Sequence, residues 1–75
     1  MADQTLDAKG LNCPLPILRA KKALQGLALG GTLEVLATDP GSVKDFAAFC
    51  NTTGNELVES GNDGKIFRFV LRRRN

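Results

Sequence analysis

The chain has 75 residues, a formal net charge of +2, 43% hydrophobic and 24% charged residues, two cysteines and no histidine. A domain of this length buries only about 60% of its unfolded surface, so residues 1–75 are expected to form one small domain with no room for an enclosed cofactor beside its core. The weak charge does not imply nucleic-acid binding, and without histidine a Cys-His nucleophile pair and most zinc sites are excluded.

The elements alternate along the chain. Gln4 to Ala8 is a short strand anchored by Leu6. A helix is predicted from about Pro14 to Leu27, because Ile17, Ala20, Leu24 and Leu27 recur at spacings of three and four and mark one buried face. Gly30-Gly31 breaks it. Thr32 to Thr38 is the second strand. Asp39-Pro40 is a helix start, with Ser42 and Asp45 also suited to the first turn. That second helix runs to about Thr53 and ends at Gly54, with Val43, Phe46, Ala47 and Cys50 on one face. Glu56 to Ser60 is a third strand, Asn62-Asp63-Gly64 a turn, and Lys65 to Arg72 the fourth strand, with Phe67, Phe69 and Leu71 on one side. The order β-α-β-α-β-β predicts an α/β two-layer sandwich: a mixed four-stranded sheet with two helices on one face.

The chemistry concentrates at Leu11-Asn12-Cys13-Pro14-Leu15-Pro16. This run places a thiol at the mouth of the first helix. Proline is tolerated there because the first backbone N–H groups have no partner inside the helix. The helix start carries a partial charge of roughly +0.5, and cysteine pKa values fall at such sites, from about 8.5 toward about 3.5–7.5. The expectation is a reactive thiolate at Cys13. Pro14 and Pro16 stiffen the turn and leave only Leu15 and Ile17 as nearby backbone donors. Because proline disfavours helical geometry in the residue before it, either Pro14 is the first helical residue and Leu15 is strained, or the helix begins nearer Pro16. Gly10 reads as a turn needing backbone freedom. Cys50, on a face with Phe46, reads as core packing, as do all four phenylalanines.

The pattern Leu6-Asp7-Ala8-x-Gly10-Leu11-x-Cys13-Pro14-x-Pro16 resembles the TusA/SirA/YedF family of small sulfur-carrier proteins. The resemblance continues through Gly30-Gly31, Leu33-Glu34-Val35, Asp39-Pro40, Phe49-Cys50, Asp63-Gly64 and Phe67-Arg68-Phe69. It implies a sulfurtransferase-type carrier in which Cys13 receives sulfane sulfur as a persulfide and relays it, with Pro14, Leu15, Pro16 and Gly10 as the supporting motif. The implied partners are a donor protein, such as a cysteine desulfurase or a rhodanese-like protein, and an acceptor. The implied pathways are tRNA thiolation, molybdenum-cofactor supply or sulfur oxidation. Leu15 stands where some family members have an acidic residue. Sulfur transfer needs a thiolate with access to its target and no general base, so the missing histidine is compatible with it. No cofactor or metal is expected.

Arg19 and Lys22, three apart on the first helix, share a face and are candidates for docking an acidic partner surface. Two other readings stand beside the carrier. One is a non-catalytic binding or regulatory module gripped around Leu15, Arg19 and Lys22. The other is an RNA-binding module using Arg68 and Arg72 to Arg74, although Arg72 to Arg74 reads first as a solvated tail. Direct nucleic-acid contact is not expected, since no exposed aromatic platform is evident. The start of the chain has no basic stretch leading into an apolar run, and no apolar segment approaches the roughly 18 residues of a membrane span. With two cysteines and no secretion signal, the expected setting is a monomer in the reducing cytoplasm, away from membranes.

Overall fold

The computed structural model describes residues 3–74. Its elements are β1 (Gln4–Ala8), α1 (Leu15–Gln25), β2 (Thr32–Ala37), α2 (Ser42–Thr53), β3 (Glu56–Asp63) and β4 (Ile66–Arg72). The four strands form one sheet in the order β1-β2-β4-β3. β1 pairs parallel to β2, with Leu6 beside Val35. β4 pairs antiparallel to both β2 and β3, with Leu71 opposite Leu33 on one side and Leu57 on the other. The β3–β4 hairpin therefore folds β4 back into the gap between two strands of common direction. Val58 forms a bulge in β3, where the register shifts between Leu57 and Glu59.

Alternation decides what each strand buries. Leu33, Val35 and Ala37 of β2 are fully buried, as are Phe69 and Leu71 of β4. They meet Ala20 and Leu24 of α1 and Phe46 and Cys50 of α2, so both helices cover the same face. Phe46 stacks on Phe69 with ring centroids 4.6 Å apart, and Phe49 meets Phe46 edge-on at 6.5 Å. The other face carries charge: the Arg68 guanidinium bridges Glu34 of β2 and Glu59 of β3.

The element order and two-layer architecture are as the sequence predicts, and the differences have local causes. α1 stops at Gln25 because the Gly26 N–H turns onto the Ala23 carbonyl and the Leu27 N–H onto that of Leu24, before the glycine pair. It starts at Leu15, with Pro14 as its flanking residue and Pro16 in the second position, so Leu15 is helical despite preceding a proline. The start of α2 shifts from Asp39-Pro40 to Ser42. Its inward face is Ser42, Phe46 and Cys50, which leaves Val43 and Ala47 exposed. Phe49 and Phe67 pack only partly buried against the core. β3 runs to Asp63, and the hairpin turn tightens to Gly64-Lys65.

Arg72 to Arg74 are folded in rather than a solvated tail. Arg72 belongs to β4 and pairs with Glu56, as does Arg74. Arg73 exchanges backbone hydrogen bonds with Gly30 and Gly31, and its guanidinium donates to the carbonyls of Gln25 and Leu27. Arg68, Arg72 and Arg74 thus spend their charge on carboxylates of this chain, which weighs against an RNA-binding arm.

Candidate functional site

Parallel pairing of β1 and β2 brings the ends of both strands, and the loops that follow them, to one edge of the sheet. Ala8 lies beside Ala37 in the register. Two residues on, the Gly10 N–H donates to Thr38 Oγ1 at 2.9 Å. Gly10 has φ +80°, a conformation that a side chain resists, so the expected turn glycine is a real backbone requirement. Further along, the Cys13 N–H donates to Asp39 Oδ2 at 2.8 Å. The other oxygen of the same carboxylate accepts from the Gly41 N–H at 3.0 Å, and the Asp39 carbonyl accepts from the Ser42 N–H at 2.9 Å. Asp39 is therefore a clamp: it ties the cysteine loop to the start of α2 instead of capping that helix from within.

The Cys13 side chain is exposed. Behind it the Cys13–Pro14 peptide bond is cis, and the Leu15 N–H is taken by the Asn12 carbonyl at 2.8 Å. No side chain caps α1. A groove of about 340 Å³ opens between the two helices with Cys13 at its wall. It is lined by Pro14 and Ile17 of the α1 side and by Asp45, Ala48 and Phe49 of α2. Apart from Asp45 and the threonines at its far end, this groove is apolar.

The electrostatics differ from the expected reactive thiolate. The Cys13 thiol is held above its ordinary pKa, first by a hydrogen bond to the Asp45 carboxylate, then by partial loss of solvent and by the negative charges of Asp45 and Asp39. Two full charges outweigh a helix start worth roughly half of one. Cys50 is also held high, by burial alone.

The motif residues separate in space. Cys13 and Pro14 line the groove, Pro16 is buried, and Leu15 faces solvent. Leu15, Leu18, Arg19 and Lys22 are all exposed and fall at helical spacings of three and four, so they form one outward face of α1. Asp45 is the site residue that the sequence marks only as a helix-start acid. Its signal lies in the topology: a parallel β1–β2 pair puts the starts of both helices at one sheet edge. Among the described residues no cluster of three or more histidine, cysteine or acidic side chains could hold a metal ion.

An exposed thiol on the β1–α1 loop, beside a groove between two helices on a four-stranded sheet, defines a small α/β thiol protein. A crystal structure of a SirA-like protein from Desulfitobacterium hafniense superposes with a TM-score of 0.83 at 30% identity, over 96% of this chain and 99% of that one. The pattern of the family described as "Sulfurtransferase TusA" matches residues 4–73. The sulfur carrier protein TusA of Allochromatium vinosum is 62% identical over 95% of this chain and 93% of its own length. The putative sulfur carrier protein YrkI of Bacillus subtilis is 44% identical over 96% of both. This chain belongs to the TusA family of sulfur carriers.

Proposed function

We propose that Cys13 carries the sulfur as a persulfide between a donor protein and an acceptor protein. The observation that carries this reading is the contrast in access: Cys13 is exposed at the mouth of the groove, while Cys50 is buried in the core. In the loading step the Cys13 sulfur attacks the outer sulfur of a donor persulfide. A new S–S bond forms, the donor's S–S bond breaks, and the proton lost from Cys13 ends on the donor thiolate that leaves. Delivery is the same exchange with the acceptor thiolate as nucleophile, and no redox cofactor is needed in either direction.

The exposed α1 face of Leu15, Leu18, Arg19 and Lys22 suits docking: two apolar contacts and two cations lie beside the cysteine loop. Cysteine desulfurases and rhodanese-like proteins are the donor classes that fit. Acceptors in tRNA thiolation, molybdenum-cofactor sulfuration or sulfur oxidation fit the onward step. Both cysteines are free, which suits a reducing compartment. Among the described residues no helix is long and apolar enough to cross a membrane.

The test is intact-protein mass spectrometry after incubation with a sulfane-sulfur donor. Wild type should gain about 32 Da per sulfur, reversibly with reductant, and Cys13→Ala should gain none. A full adduct on Cys13→Ala would overturn the assignment. The suppressed thiolate favours one second reading, a binding module that uses the same α1 face without sulfur chemistry. On that reading wild type gains no adduct, and Cys13→Ser still captures its partner and still functions in cells.

A further inference from the structure

We infer that Arg68 fastens a charged cover over the open face of the sheet, and that this cover keeps the face from pairing with a second copy of this chain. Both helices lie on the other face, so the strand residues that alternate with the core point away from them. On β4 these are Ile66, Arg68, Val70 and Arg72. Val70 is apolar and belongs to this helix-free side, yet only 8% of its surface is accessible. Its cover therefore comes from side chains of the face itself.

The strand register shows how. Val70 stands opposite Glu34 on β2 and opposite Glu59 on β3. Arg68, two residues along the same face, donates to both of those carboxylates. A guanidinium that holds the two residues flanking Val70 lies across Val70. Leu36 is directly opposite Arg68, so the apolar stem of the arginine runs beside it. On the far side Thr5 Oγ1 donates to Glu34 at 3.2 Å. One polar chain, Thr5–Glu34–Arg68–Glu59, thus crosses all four strands. Toward the end of β4, Arg72 and Arg74 share Glu56. The hydrogen bond from Arg68 holds the Glu34 carboxyl below its ordinary range, and that from Arg74 does the same for Glu56.

Exposed ion pairs add little stability, so this network matters for what it hides. Beneath it runs an apolar stripe of Leu36 and Val70, continued at its margin by Ile66, which is 37% accessible. Charge alone does not keep two copies apart. Within the network three carboxylates meet three guanidiniums, so two such faces approach without net repulsion. An uncovered stripe is self-complementary about a two-fold axis, the commonest symmetry of small oligomers. With the cover in place, the same approach must break or desolvate ion pairs that are already satisfied.

The experiment uses the full chain under reducing conditions, so that the exposed Cys13 forms no disulfide between copies. Wild type is compared with the triple variant Glu34→Gln, Arg68→Ala, Glu59→Gln by sedimentation equilibrium, melting curves and concentration-dependent amide shifts. Wild type should stay monomeric to about 1 mM, and the triple variant should dimerise with a Kd of about 0.1 mM or tighter. The shifts that move with concentration should lie in β2 and β4 and leave α1 unmoved. A triple variant that melts cooperatively and stays monomeric to about 1 mM overturns the proposal. So does association that maps to the helices, or a wild type that pairs through its sheet. If the triple variant does not fold, Arg68→Lys decides. It keeps the charge but lacks the fork that holds two carboxylates at once, so concentration-dependent shifts should appear in β2 and β4, and their absence overturns the proposal. Sulfur loading has no part in these readouts, so neither result bears on the carrier reading.

Discussion

The two cysteines of this chain have the same chemistry and opposite surroundings. Cys13 sits on a loop, exposed, with its backbone clamped by Asp39 and its thiol facing Asp45. Cys50 lies on the inward face of α2 among Phe46, Leu24 and the sheet, with 6% of its surface accessible. Both thiols are pushed up, one by a carboxylate and one by burial. The difference matters because the first thiol is open to a partner and the second is not. Access, rather than an intrinsically acidic thiol, sets the candidate site apart.

The comparison breaks most sharply when each thiol is removed in turn. Cys13→Ala should lose all sulfur loading, and Cys50→Ala should keep the adduct at the wild-type yield, both read by intact mass. Loading that vanishes in Cys50→Ala while the fold melts normally would mean the buried thiol takes part.

The next largest effect lies around Cys50. Phe46 is fully buried and stacks on Phe69, so Phe46→Ala should cost about 3–5 kcal/mol in denaturant unfolding. Such a loss is a large part of the stability of a small domain. Partial opening should make Cys50 alkylatable at neutral pH. A loss under about 1 kcal/mol would show that α2 does not depend on this stack.

Asp39→Ala is the smaller counterpart at Cys13. It removes the acceptor for the Cys13 and Gly41 N–H groups, and the expected cost is about 1–3 kcal/mol. Because both donors are near the surface, water should recover part of that. The diagnostic is backbone hydrogen exchange at Cys13, which should accelerate more than exchange in β2. Unchanged exchange at Cys13 would show that the loop holds itself.

Much of this is legible in the sequence, and where legibility ends is physically clear. Period-two alternation in Leu33 to Ala37 and in Phe67 to Leu71 marks strands buried on one face, and those positions are the sheet side of the core. Gly10 is readable as a turn glycine. Helix ends are less readable: Pro14-Leu15-Pro16 leaves the register open, and the wide turn after Asp39 hides the start at Ser42. Asp45 is unreadable as a partner of Cys13, since the two meet only once β1 and β2 pair in parallel. The sense of the thiol shift depends on that pairing. A helix start alone argues for a thiolate, and the opposing carboxylates come from the other helix and the loop before it.

The smallest effect tests burial at Cys50 directly. Cys50→Ala removes one sulfur from a packed site and should cost about 1 kcal/mol at pH 7. That cost should depend on pH. Burial holds the folded thiol protonated above the ordinary value of about 8.5, while the unfolded chain loses the proton there. Unfolding then releases a proton, so the wild type's extra stability is complete well below about pH 8.5 and declines as pH rises from there toward the folded-state value. The measurement belongs in a Cys13→Ala background, so that the exposed thiol contributes nothing. There the stability gap between the chain that keeps Cys50 and its Cys50→Ala derivative should narrow from pH 7 to pH 10. Other groups that titrate in this range are common to both chains and cancel in the difference. A gap that stays constant over the range would mean that Cys50 ionises as freely folded as unfolded, and the contrast between the two thiols would then rest on access alone.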